Sequence, residues 1–363
     1  MKARRVKWKK LAGLLTFFAC AVAMAGGASL YIYRMELLGF SRAPAQIQSK
    51  QTVTVVVEAG AGPRSVARQL YDKGVISEDA LFYDWLRFVA KDKTIKAGTY
   101  ELSPGMSPEQ ILAVLQTGRQ IERKFTIPEG LRKEKVATII AGAGFGQKAD
   151  ILRLINSPEI IKEFRIPTRG AAGQDGVEGG VDGYLFPDTY QFPAGTDPLV
   201  ILRRLRGHVD DAFDDRLRAR MVELGWDEHK TLTLAAIIEK ETGAKEERPH
   251  ISSVFHNRMK LGMKLQTDPT VIYGIPGYDG NIRRRDLVRD HPYNTYVVKG
   301  LPPGPICQPG KAAIVAALFP SDDDDLYFVA LGDSGRHQFC PTLECHNAAV
   351  QKWQVEFYRK PKP

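Results

Sequence analysis

Leu232-Thr233-Leu234-Ala235-Ala236-Ile237-Ile238-Glu239-Lys240-Glu241-Thr242-Gly243 is the stretch that decides how this chain is read. Its first seven residues make a nearly all-apolar run, the mark of a helix buried on most sides. Two carboxylates arrive at the end of that run. At 3.6 residues per turn, positions 239 and 241 point about 200° apart and cannot share a face. Glu241 stacks above Ile237, Ile238 and Leu234, whereas Glu239 stacks above Ala235, Ala236 and Leu232. Thr242-Gly243 reads as the helix end. A carboxyl near the negative end of a helix, beside isoleucines, should have a raised pKa, which keeps a general acid protonated near neutral pH. A Glu-x-Glu pair at a helix end is also common on solvated surfaces. These residues alone leave both readings open.

Outward from this helix, spacing and turn residues predict a mixed chain. Strands are expected at Thr52–Glu58, Lys96–Leu102, around Phe125 and at Leu326–Leu331. Helices are expected at Ser65–Lys73, Ser77–Lys91 (Leu81, Trp85 and Phe88 spaced for one face), Pro108–Leu115, Arg132–Gly142 and Lys148–Asn156. Leu199–Leu224 reads as one long helix or a pair, followed by His229–Thr242, Pro249–Leu261 and Asn347–Tyr358. The Gly-rich segment 168–183 lacks a Gly-Lys-Ser/Thr ending, so it reads as a flexible loop and not a phosphate cradle. Residues 266–309 are rich in turns. No regular βαβ alternation appears, and the fold class expected is α+β. The strand, two helices and strand over residues 52–120 resemble a LysM-like module in arrangement, which implies glycan binding. A plain spacer domain has the same outline.

The N-terminus carries the most legible signal. The formal net charge of +9 is concentrated there: residues 1–10 hold six basic side chains and no acid. The remaining 45 basic and 42 acidic residues nearly balance, so no nucleic-acid partner is expected. Leu11 to Tyr33 carries no charge, and 23 residues are long enough to span a bilayer as a helix. Basic residues before the span place the N-terminus in the cytoplasm and the rest beyond the inner (cytoplasmic) membrane as a single-pass protein. Ala21-Val22-Ala23 and Ala23-Met24-Ala25 resemble signal-peptide cleavage sites, but the apolar run continues past both, which favours an uncleaved anchor. Residues 1–34 are therefore read as basic tail and membrane helix, and 35–51 as a linker.

Four cysteines do not build a disulfide scaffold. Cys340 and Cys345 are close enough to pair in an oxidising compartment. Their C-x4-C spacing, with His337 and His346 nearby, also invites a zinc site, although no second close pair completes one. No compact ligand set stands out elsewhere, so neither metal nor cofactor is expected.

Around the decisive helix lie Leu265-Gln266-Thr267-Asp268-Pro269-Thr270-Val271-Ile272-Tyr273-Gly274, then Tyr293-Asn294-Thr295-Tyr296, then Gly300-Leu301-Pro302-Pro303-Gly304-Pro305-Ile306. Together with Ile238–Thr242, Gly183-Tyr184-Leu185-Phe186-Pro187-Asp188-Thr189-Tyr190 and His346-Asn347, these closely resemble the endolytic murein transglycosylases (the MltG or YceG-like family). The resemblance runs from about residue 50 to 357. It implies a catalytic region over 121–358 that cleaves peptidoglycan glycan strands, with one catalytic glutamate, placed at Glu241, and Glu239 in a supporting role. Gln266, Thr267 and Asn294 suit hydrogen bonding to acetamido and hydroxyl groups, and Tyr293 or Tyr296 suits a pyranose face. Asp268 is a candidate second carboxylate, although an Asp before Pro is most often a turn residue. Tyr184, Asp188 and Glu129 either line the same cleft or stitch loops together. Arg283–Arg285 and Asp322–Asp325 read as solvated. Peptidoglycan synthases are candidate partners. A non-catalytic peptidoglycan-binding scaffold and a water-using muramidase remain the alternatives.

Overall fold

The computed structural model describes residues 2–47, 49, 51–58, 60–117, 122–167 and 180–359. Most of the Gly-rich segment, residues 168–179, lies outside them. The chain divides into two compact units, Met1–Arg123 with Pro193–Gly195, and Lys124–Phe192 with Thr196–Pro363. Among the described residues the strands form three separate two-stranded sheets set among helices, an α+β fold.

The first unit begins with α1 (Lys2–Arg42). Its Thr16–Arg42 part is apolar and long enough to cross a membrane, and Phe17, Phe18, Leu30 and Ile32 are exposed along it. The residues read as a linker start as a continuation of this helix. Tyr33, Leu37 and Phe40 recur at i, i+4 and i+7, so one stripe packs onto the small domain; Leu37 is fully buried there. The Tyr33 hydroxyl donates to Asp84 Oδ2.

That domain is β1 (Val53–Val57), α2 (Pro63–Asp72), α3 (Asp79–Phe88), β2 (Gly98–Leu102) and α4 (Pro108–Thr117). The strands pair antiparallel, Val53 opposite Leu102 and Val57 opposite Gly98. α2 ends where Gly74 takes φ of 68°. The inner face of α3 is Phe82, Trp85 and Leu86. Leu81 is half-buried and Phe88 exposed, which corrects the expected stripe: an aromatic-rich helix supports two 3,4-spaced faces, and packing selects one.

The second unit opens with β3 (Glu122–Thr126), which pairs with β4 (Thr189–Pro193). Between them lie α5 (Lys133–Gly142), α6 (Lys148–Ile155) and α7 (Pro158–Glu163). The long helical stretch resolves into α8 (Pro198–Ala212) and α9 (Asp215–Leu224), with Asp214 capping the second. α10 (Glu228–Glu241) is capped by Asp227, and every residue from Thr231 to Ile238 is buried. A 3-10 turn at Lys245–Glu247 leads into α11 (Arg248–Lys260), and α12 (Asp268–Tyr273) and α13 (Arg284–Leu287) are short. α14 (Lys311–Leu318) packs along α10 through Ala313, Ile314, Ala317 and Leu318. Each larger side chain buried there contributes roughly 1.5–3 kcal/mol.

The C-terminal wall is the antiparallel hairpin β5 (Tyr327–Ala330) and β6 (His337–Cys340), followed by α15 (Leu343–Val350). A wider helical turn at Gln351–Glu356 continues α15 into α16 (Phe357–Arg359). Cys340 and Cys345 form a disulfide that ties the end of β6 to the first turn of α15. Both sulfurs are thereby committed, and the zinc reading of that pair falls away.

Candidate active site

Glu241 is the last residue of α10. It opens into a cleft of about 470 Å³ with Arg258, Gln266, Asp268, Tyr296, Tyr327, His337 and His346 on the walls. The Thr267 hydroxyl donates to Glu241 Oε1. Burial pushes the Glu241 carboxyl up to about 7, and the Asp268 charge adds to the rise. The Thr267 hydrogen bond and the Arg258 cation act the other way.

Local geometry holds this arrangement. Gln266 adopts φ of 50°, a region that a residue with a side chain enters at a cost of order 1–3 kcal/mol. Its backbone N–H is held at 3.1 Å by the carbonyl of Thr295, which turns its exposed side chain to the cleft. The Thr267 N–H donates to Thr295 Oγ1 at 3.0 Å, and Thr270 Oγ1 lies 2.8 Å from the same hydroxyl. Three buried threonines thus fix the donor that meets Glu241. Asp268 is exposed and accepts from the Tyr296 hydroxyl at 2.7 Å. Arg258 is nearly buried, donating to the carbonyls of Leu265 and Leu326 at 2.6 Å each, so it joins the Gln266 segment to the start of β5.

Glu239 points to the opposite side, as helix geometry requires. Its Oε1 accepts from Arg248 Nη2 at 2.7 Å and its Oε2 from the Gly310 N–H at 3.0 Å. Burial raises its pKa, outweighing the Gly310 and Arg248 interactions that lower it. Glu239 therefore ties α10 to α11 and to the start of α14. Glu129 joins the same group, 3.6 Å from Arg248 Nη2.

Gln266, Asp268 and Tyr296 share the Glu241 cleft, and Thr267 meets Glu241 directly; Tyr293 and Asn294 are elsewhere. Asn294 is buried, donating to the carbonyls of Asp286, Leu287 and Arg289 and accepting from the Tyr296 N–H, so its polar groups are spent on the loop. Tyr293 is buried against Tyr273, ring centroids 4.7 Å apart. Tyr184 stitches as well: its hydroxyl lies 2.8 Å from His229 Nδ1, and His229 Nε2 lies 2.7 Å from the Pro303 carbonyl. Asp188 lies 3.3 Å from His208. The Asp322–Asp325 turn is not merely solvated, since Asp323 accepts from Ser253 and Ser321 and Asp325 lies 2.7 Å from His250.

The far wall of the cleft was not foreseen. His337 Nδ1 lies 2.8 Å from Glu247 Oε2, and His346 stacks on Tyr327 with Nδ1 buried and unpaired. Burial lowers the His346 pKa, which favours the neutral ring. The sequence signals for this wall were the His346-Asn347 motif and the Cys340/Cys345 pair with His337 and His346 beside it.

Residues 55–352 match the YceG-like family. An endolytic murein transglycosylase of Bacillus subtilis (strain 168) is 32% identical over 333 residues, covering 90% of this chain and 90% of that protein. One from Streptococcus pneumoniae serotype 2 is 27% identical over 363 residues, covering 91% of this chain and 63% of that longer protein. A crystal structure of a yceG-like protein from Listeria monocytogenes is 35% identical with a TM-score of 0.57, covering 83% of this chain and 99% of that one. The matched span includes both Glu241 at the end of α10 and the His346 wall opposite, and the chain belongs to the YceG-like family.

Proposed function

We propose that this protein is an endolytic peptidoglycan lytic transglycosylase with Glu241 as its acid and base. The observation that carries the assignment is one desolvated carboxyl, poised near neutrality, at the floor of a polar and aromatic cleft. The protonated Glu241 donates to the oxygen between N-acetylmuramic acid and N-acetylglucosamine. As the C1–O bond breaks, the muramic acid's own 6-hydroxyl attacks C1 and returns its proton to Glu241. The products are a 1,6-anhydro-muramic end and a free 4-hydroxyl, with no water consumed. An intramolecular nucleophile replaces the second carboxylate that hydrolysis ordinarily uses.

Gln266, Asp268 and Tyr296 line the sugar path, and Asn294 braces Tyr296 from behind by accepting from its N–H. α1 serves as a single-pass anchor, its basic start in the cytoplasm, holding the cleft near nascent strands and their synthases so that cleavage there ends elongation. The β1–α2–α3–β2 arrangement supports reading the small domain as a LysM-like glycan-binding module.

Mass spectrometry of digested glycan strands tests the reaction. Anhydro-muramic ends are expected. Reducing ends would instead make Asp268 a partner in hydrolysis, and intact strands would leave only a binding scaffold.

The pH profile tests the residue. Donation needs protonated Glu241, so kcat/KM should fall as pH rises through about 7. Asp268→Asn removes a charge that holds the pKa up and should move this limb to lower pH. Thr267→Val removes a donor to the carboxylate and should move it higher. A limb that stays put in both variants belongs to another group.

A further inference from the structure

We propose that a second cavity, at the other end of α12, binds a carboxylate of the peptide carried by a muramic acid of the same strand. This rests on the peptidoglycan reading above and adds a specificity subsite to it. The cavity measures about 360 Å³ and is lined by Arg132, Lys133, Tyr273, Arg289, His291 and Tyr293. Among its lining residues Glu134 is the one acid, against the basic side chains of Arg132, Lys133 and Arg289.

The site is built. The Arg132 guanidinium sits 4.5 Å above the Tyr273 ring centroid, and Arg289 Nη1 donates to the Gly274 carbonyl at 3.2 Å. A guanidinium has five N–H donors, so neither contact exhausts it. The ring under Arg132 is itself anchored, because the Tyr273 hydroxyl donates to Asp182 Oδ2 at 2.8 Å. Asp182 is buried and also accepts from the Lys133 N–H at 2.7 Å and Gln308 Nε2 at 2.8 Å.

Two links couple this cavity to the cleft. α12 carries Asp268 at one end and Tyr273 at the other, and the five steps between them rise roughly 7.5 Å. Asn294 holds the Arg289 carbonyl at 2.7 Å and the Tyr296 N–H at 3.0 Å, and Tyr296 meets Asp268. A strand with one sugar at Glu241 therefore has a muramic acid, and the peptide on its lactyl group, within reach of the cations. Peptide carboxylates recur along such a strand, whereas the other anion it can bear, a lipid diphosphate, occurs once at its end.

The test uses the full chain in detergent and strands of one length in three forms: peptide-bearing, peptide-stripped, and stripped but ending in the lipid diphosphate. Wild type should show at least about tenfold higher kcat/KM on peptide-bearing strands, the scale of one charge-assisted hydrogen bond. Arg132→Gln with Arg289→Gln should erase that preference and leave stripped strands cut at the wild-type rate, with an unchanged melting temperature. Lysine at both positions should restore part of it. Equal wild-type rates on peptide-bearing and stripped strands would overturn the proposal. So would a loss shared by all three forms, or one confined to lipid-ended strands. Anhydro ends on stripped strands report the reaction separately, so failure of the subsite and failure of the function are distinguishable.

Discussion

Glu241→Gln should lower glycan cleavage by about 10²–10⁴-fold, the span that a general acid contributes, while the protein stays folded. The substitution is isosteric, and the amide oxygen can still accept from Thr267, so the threonine cluster keeps its arrangement. What is lost is the transferable proton. Stability should move the opposite way to activity. A carboxyl whose folded pKa is raised favours folding most below its unfolded value, and that contribution is lost as pH rises through the folded value, here about 7. Glutamine does not titrate, so relative to wild type the variant gains stability between about pH 4.5 and 7. The checks are quantified anhydro-muramic ends and a thermal melt at pH 5 and pH 8. A folded Glu241→Gln protein with more than about a tenth of wild-type activity would sink the assignment.

What the sequence made legible is that the two carboxyls of this helix end face opposite sides. An apolar run broad enough to bury a whole helix, followed by two acids 200° apart, leaves little freedom about where each carboxyl goes. The segment after α11 was legible only as polar residues in a turn: Asp268-Pro269 reads as a turn, whereas in the structure it starts α12. Residue type misled where burial was not visible. Asn294 and Tyr293 have the chemistry of sugar ligands, but a loop that turns on itself needs its carbonyls satisfied, and Asn294 spends its amide there. α14 left no periodic signal because Lys-Ala-Ala-Ile-Val-Ala-Ala-Leu is apolar on nearly every side, as a short helix against α10 must be. The disulfide and the first strand of the wall carrying His337 and His346 were legible from C-x4-C spacing and residue type, but the wall meets Glu241 through contacts about a hundred residues away, which local spacing does not encode.

Glu239 should matter through stability. Its carboxylate has 6% side-chain exposure and its partner Arg248 has 4%, so the pair lies deep inside the fold. Arg248 already leaves Nε and Nη1 buried without acceptors. Removing Glu239 would leave the guanidinium with Glu129 alone, at 3.6 Å, and strip the Gly310 N–H of its acceptor at the start of α14. Breaking one side of a buried ion pair costs roughly 3–5 kcal/mol, about 10 °C in melting temperature for a unit of this size. Glu239→Ala should show that fall. The residual activity per folded molecule should stay within a few-fold of wild type at low temperature, since Thr267 and Arg258 meet Glu241 from the other side. Arg248→Met added to Glu239→Ala should recover part of the loss, because the uncompensated cation goes with it. An unchanged melting temperature in Glu239→Ala would mean that the pair does not tie α10 to α11. Loss of cleavage at full stability would move Glu239 into the chemistry.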